Sequence, residues 1–224
     1  MDTGDAPESG PPLDDPVERR RYPRDTQEFD RLANLSDAIF GIAMTLLVFT
    51  LNDGEVPLDR IGSAIVDQRG ELIAFVISFA LIANFWWIHH QLFSRLAFVE
   101  PGLVVVNLVL LGAVALVPYP TRLLGLDPTA GAAVVPYLGL MNVISILHLV
   151  LLVRANSTGA WSRPLPAIVF RWVLAVWGSS TAVTLIAFGV AFVWPVVGLV
   201  VALSSWIVST AIERRAPAAY SAWA

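Results

Sequence analysis

Arg31-Leu32-Ala33-Asn34-Leu35-Ser36-Asp37-Ala38-Ile39-Phe40-Gly41-Ile42-Ala43-Met44-Thr45-Leu46-Leu47-Val48-Phe49 decides the class of this protein. With Thr50 and Leu51 it is an apolar run of the length, about 20 residues, that a helix needs to cross a ~30 Å hydrocarbon core. The run is interrupted by Ser36 and Asp37. An ionised carboxylate at the centre of a membrane helix costs on the order of 2.5 to 3.5 kcal/mol, so Asp37 calls for a partner, although its place two turns from the helix start moderates that cost. Two readings stay open. Asp37 is either a helix-entry residue near the headgroups, favoured by the positive end of the helix dipole, or a member of a buried polar network whose donors lie on another helix.

Working outward, the same kind of run recurs. Apolar stretches lie at 31–51, 71–97, 101–124, 130–155, 167–187 and 190–213, which makes six. Asn52-Asp53-Gly54 with Pro57 ends the first, Glu100-Pro101-Gly102 separates the second from the third, and Pro118-Tyr119-Pro120 closes the third. Asn156-Ser157-Thr158-Gly159 with Pro164 and Pro166 divides the fourth from the fifth, and Trp194-Pro195 kinks the start of the sixth; proline and glycine are the ordinary punctuation of helices. Composition agrees: 56% of the 224 residues are hydrophobic and 14% charged, with a mean hydropathy of +0.69, against roughly 25% charged in soluble domains. The fold class is therefore all-α, a polytopic membrane protein of six transmembrane helices with no convincing internal repeat. Backbone polar groups in lipid must be satisfied within each span, which leaves helices as the spanning elements.

Residues 1–29 are rich in Asp, Glu, Arg, Pro and Gly and contain no apolar run. They are expected to be a disordered tail rather than a cleavable signal peptide, which leaves a six-helix domain at 30–213 and a short tail at 214–224. The net charge of -4 does not suit a nucleic-acid binder, and without cysteine neither disulfides nor thiolate metal sites can hold the fold. Every basic residue is arginine: eleven (19, 20, 21, 24, 31, 95, 154, 163, 171, 214 and 215) fall on the side of the termini and three (Arg60, Arg69 and Arg122) on the other. The positive-inside bias places both termini in the cytoplasm, as an even number of spans requires.

Donors for Asp37 occur in Phe85-Trp86-Trp87-Ile88-His89-His90-Gln91-Leu92-Phe93, where Trp86 shares a helical face with His89, His90 and Phe93. Indole and imidazole N–H groups both suit a carboxylate. A metal site at His89-His90 is disfavoured, because adjacent helical residues diverge by about 100° and no Cys or acidic cluster completes a shell. His148, alone in the fourth span, reads as a core or helix-interface residue. Ile42, Thr45, Leu46 and Phe49 fall at i, i+3, i+4 and i+7, which is a packing stripe or, repeated around a symmetry axis, an apolar constriction that gates by dewetting. Ala38 and Gly41 allow close approach of a neighbouring backbone. No nucleophile–base pair, phosphate-binding glycine loop or catalytic carboxylate pair is present in these helices, so nothing points to an enzyme.

Taken in order, these segments resemble the transmembrane protein 175 family, the bacterial relatives of the lysosomal potassium channel. Arg31 with Leu35-Ser36-Asp37 resembles its Arg-x-x-x-Phe-Ser-Asp signature, Thr45-Leu46-Leu47-Val48 its Thr-Leu-Leu-Val stretch, Trp86-x-x-His89-His90-x-x-Phe93 its Trp-x-x-His-His-x-x-Phe, and Pro118-Tyr119-Pro120-Thr121 its Pro-Phe-Pro-Thr. Residues 125–224 match in hydropathy and helix count alone. The resemblance implies a homotetramer in the cell membrane with the first helix lining a pore for monovalent cations, potassium favoured over sodium, and no cofactor beyond the permeant ion. It implies Ile42, Leu46 and Phe49 as the constriction, Thr45 as a hydroxyl layer tied to selectivity, and Arg31, Ser36, Asp37, Trp86, His89 and His90 as the network that holds the pore helix. Leu35 replaces the signature Phe, Phe49 stands where smaller aliphatic residues are usual, and Gln91 replaces a commonly basic residue. From residue chemistry alone a channel, a proton-coupled carrier working through Asp37 and a His, and a non-conducting membrane scaffold all stay open; the resemblance favours the channel.

Overall fold

A computed structural model describes residues 21–51, 62 and 66–221. Most of the acidic tail, the break at Asn52-Asp53-Gly54 with Pro57, and residues 222–224 lie outside the described residues. Among the described residues, six helical spans are long and apolar enough to cross a membrane. They are α1 (Gln27–Leu46), extended by a 3-10 turn at Leu47–Thr50, then α2 (Arg69–Ser94), α3 (Pro101–Ala115) continued by α4 (Pro118–Leu126), α5 (Gly131–Thr158), α6 (Ala167–Ala191) and α7 (Pro195–Glu213). A single turn, α8 (Ala218–Ser221), follows.

Three boundaries differ from the sequence reading, each for a local reason. Regular structure begins before residue 29: β1 (Tyr22–Pro23) pairs antiparallel with β2 (Phe98–Val99), and Thr26 caps α1 by accepting from the Phe29 N–H at 3.5 Å. Pro118 does not close the third span. It sits in the first turn of α4, where its missing N–H does no harm, so the span passes through Leu116–Val117 and runs on to Leu126. The sixth span starts at Pro195 rather than 190; α6 runs on to Ala191, and proline again occupies the first helical position of α7.

α5 is the most deeply packed helix, with Tyr137, Ile144, Leu151 and Leu152 fully buried. α3 and α4 pack along it on one side, α1 and α2 pack on α3 and α4, and the α6–α7 hairpin leans on α5 from the other side. α2 crosses α4 closely at the end away from the termini: a Cβ on Gly70 would stand 2.6 Å from the Gly125 carbonyl oxygen. Hydroxyl pairs stitch the helices inside the bundle. Thr121 of α4 and Tyr137 of α5 meet the Ser78 hydroxyl of α2 at 2.9 and 3.1 Å, and Thr184 of α6 donates to Asn142 of α5 at 2.9 Å.

The termini end carries a clasp around the start of α1. Ala97 N–H donates to Ala160 O at 2.7 Å, Arg24 N–H to Ala97 O at 2.8 Å, and Ser162 N–H to Arg95 O at 2.9 Å. The entry to α1 is thereby tied to the α2–α3 and α5–α6 connections. Nearby, Arg154 of α5 donates to Glu100 at 2.6 Å, while the other carboxylate oxygen accepts from Gly102 N–H at the start of α3. The hydrogen bond from Arg154 holds the Glu100 carboxyl below the usual carboxylate range.

Candidate functional site

α1 has two faces of different character. Phe29, Leu32, Ser36, Phe40 and Ala43 are buried against the bundle, and Leu47 and Thr50 continue that face through the 3-10 turn. The other side carries Ile42, Thr45, Leu46 and Phe49, all exposed in the single subunit, with Phe49 the most open at 76%. The four residues picked out by spacing thus share one unpartnered stripe. The Thr45 hydroxyl donates to Ile42 O at 2.8 Å, leaving its oxygen lone pairs directed away from the backbone as acceptors.

Behind this stripe, the polar side chains of the motifs separate into two groups. In the interior, His89 Nε2–H donates to Asn107 Oδ1 at 2.8 Å, Asn107 Nδ2–H donates to Ser36 Oγ at 3.0 Å, and the Ser36 hydroxyl donates to Leu32 O at 2.9 Å. All three side chains are buried, and the chain joins α2, α3 and α1. The His89 ring is stacked on Phe93 with centroids 4.3 Å apart and lies 5.4 Å from Phe40. Nearer the surface, Trp86 Nε1–H donates to Asp37 at 2.8 Å, and the His90 ring lies 5.4 Å from Trp86 and stacks on Trp87 at 6.2 Å.

One hundred degrees of helical rotation explains the division. Ser36 and Asp37, like His89 and His90, are sequence neighbours, so one of each pair turns inward and the other outward. Asp37 meets the indole donor rather than a histidine, and Arg31 is exposed outside both groups. Sequence reasoning missed Asn107, the residue that bridges Ser36 to His89; its signal was a lone amide inside Gly102-Leu103-Val104-Val105-Val106-Asn107-Leu108-Val109-Leu110. It also missed the Glu100–Arg154 pair. Among the described residues no group of three or more His, Asp or Glu could hold a metal ion.

The family model described as the endosomal/lysosomal potassium channel TMEM175 matches residues 31–118, a stretch that contains the stripe and both polar groups. A potassium channel of Streptomyces collinus is 41% identical over 101 residues, which are 43% of this chain and 48% of that protein. A potassium channel of Chamaesiphon minutus is 34% identical over 129 residues, 54% of this chain and 62% of that protein. The chain therefore spans only about half to three fifths of the length of these two relatives, 48% and 62%. The fold reaches further: the crystal structure of a lysosomal potassium-selective channel TMEM175 homolog from Chamaesiphon minutus superposes with a TM-score of 0.68 at 26% identity, covering 85% of this chain and 99% of that one. Ordered motifs, matching relatives and a shared fold point the same way: this polytopic all-α membrane protein is similar to the TMEM175 family over residues 31–118 and has the fold of a TMEM175 homolog.

Proposed function

We propose that the chain is the subunit of a potassium-favouring monovalent cation channel, a homotetramer in the cell membrane with both termini cytoplasmic. Residues 30–213 form the conducting unit, and ions pass without a cofactor or a catalytic step. Four copies of α1 surround the axis. Ile42, Leu46 and Phe49 make the apolar constriction, which closes by dewetting, and the Thr45 oxygens offer a ring of acceptors to a partly dehydrated cation.

The observation that carries this reading is the division of α1 itself. Its buried face is fastened to α2 and α3 through Ser36, Asn107 and His89, while the stripe Ile42–Phe49 is left open. A helix held this firmly from behind can keep an apolar ring in register. The relatives named as potassium channels supply the ion. A proton-coupled carrier would rest on an Asp–His pair, and Asp37 instead engages Trp86.

The purified protein in liposomes with an outward potassium gradient tests the proposal. Potassium flux well above sodium flux at matched gradients is expected. Equal flux of both ions removes the selectivity, and no flux from an intact tetramer removes the channel.

A further inference from the structure

A cleft of about 800 Å³ lies on the opposite side of α2 from the proposed pore helix. α5 is its floor, α2 one wall and the α6–α7 hairpin the other. α2 does not pack along α6 or α7, so the cleft stays open sideways past Trp87, Leu203 and Trp206, each more than half exposed. No residue of α1 lines it.

Its walls are mostly apolar, but a polar layer crosses them at one depth. Asn84, Ser145, His148, Ser180 and Ser205 all line the cleft, and each falls in the middle third of its helix. Neighbouring hydroxyls on α6 and α7 turn back to their own helix: Ser179, Thr181, Ser204 and Ser209 donate to carbonyls three or four residues earlier. Asn84, Ser145, Ser180 and Ser205 make no such bond and have no side-chain hydrogen-bond partner among the described residues. His148 Nδ1–H donates to Ile144 O at 2.9 Å, and its Nε2 is buried without a hydrogen bond.

At mid-membrane there is no bulk water to satisfy such groups, and leaving them bare is costly. The volume falls in the range of small-molecule sites, and apolar walls with a few convergent polar groups are their usual lining. The lining includes no Arg, Lys or Asp, and its one acidic residue, Glu213, stands at the last turn of α7. A charged ligand would find no counter-charge at the polar layer. A hydroxyl matches it, since it donates to an amide oxygen and accepts from an amide or serine.

We propose that this cleft binds a neutral lipid alcohol from the bilayer, its chain against Leu81, Ile88 and Leu203 and its hydroxyl on the layer formed by Asn84, Ser145 and Ser205. The site is separate from the conduction path and goes beyond the channel reading.

Photolabelling in lipid nanodiscs tests it with three diazirine probes of matched chain length: hexadecanol, a diacylglycerol and the hydrocarbon without a hydroxyl. Saturable labelling of α2 and α7 residues in the cleft by at least one alcohol, with none by the hydrocarbon, is expected. The variant Asn84→Leu/Ser205→Ala should weaken the saturable component roughly tenfold, about what losing one or two neutral hydrogen bonds produces. Ser205→Ala alone, a small change on the lightly packed α7, should weaken it in the same direction and guards against misfolding of the double variant. Labelling that is equal for all three probes or unsaturable, or that stays unchanged in a folded variant, overturns the proposal. So does rapid modification of Ser205→Cys, the protein having no native cysteine, by a membrane-impermeant thiol reagent, which would make the cleft a water-filled crevice. Cross-linking of that same cysteine between subunits would make it a contact between copies.

Discussion

On the face of α2 that meets α1 and α3, His89 donates to Asn107 and the chain of hydrogen bonds runs on to Ser36. On the face that meets the cleft, Asn84 has no partner among the described residues, and neither do Ser145, Ser180 or Ser205 across from it. The chemistry of the side chains is similar; the spacing of the helices is not. Where helices pack closely, a polar side chain becomes a fastener, because the only way to satisfy it is across the seam. Where they stand apart, the same side chain is left available to something else.

The contrast predicts opposite signs for the same kind of substitution. The largest effect is expected from Asn107→Leu, which strands the His89 N–H in the interior and takes a donor from the Ser36 oxygen, whose own hydroxyl still bonds Leu32 O. Stability should fall by about 1 to 3 kcal/mol, the cost of one buried donor left unpaired, measured by thermal or denaturant unfolding in detergent. A loss near zero would break the contrast. Next comes Asp37→Ala, which removes the carboxylate from Trp86. About 1 kcal/mol is expected for this partly exposed bond, with coupling to Trp86→Phe in a double-mutant cycle and little change in the potassium-to-sodium ratio. A changed ratio with unchanged stability would move Asp37 from support to conduction.

The Glu100–Arg154 pair adds an acid-sensitive term at the termini end. Its carboxyl is held below the ordinary range by Arg154. A depressed carboxylate contributes stability that is complete at neutral pH and is lost as pH falls below the ordinary value of about 4.3 and through the lower folded value. The unfolding temperature should drop over that window, and Glu100→Gln should remove that part of the pH dependence. The smallest effect is expected on the cleft face. Ser205→Ala and Asn84→Leu remove groups that have no protein partner, so in lipid-free detergent each should change stability by less than about 0.5 kcal/mol or raise it. A loss comparable to that of Asn107→Leu would show that the cleft layer is a fastener after all.

Much of this was legible in the sequence. Hydropathy located all six spans, because a twenty-residue apolar run has few other uses, and motif chemistry and depth put Trp86, with His89 and His90, among the donors open to Asp37. The less legible features depend on rotation and long-range approach. Which histidine of His89-His90 turns inward is a matter of helix phase, and Arg31, which the resemblance implies as a network member, is exposed in the single subunit. Asn107 sits in an apolar run with no periodic signal, and Glu100 and Arg154 meet across 54 positions of chain. The continuation through Pro118 was hidden because proline in a first turn and proline at a helix end read alike. The open cleft has no sequence signature, since it exists only because the α6–α7 hairpin stands off from α2.

The central claim is that the stripe on α1 lines the path of the ion. The most direct measurement is potassium flux through liposomes carrying the parent protein, Leu46→Asn and, as an outward-facing control, Val200→Asn on α7. An amide in the constriction should hydrate it and raise basal flux several-fold at least, while the α7 variant stays at the parent rate. Unchanged flux in Leu46→Asn with the tetramer intact, or an equal rise in both variants, would contradict the assignment of α1 as the conduction helix.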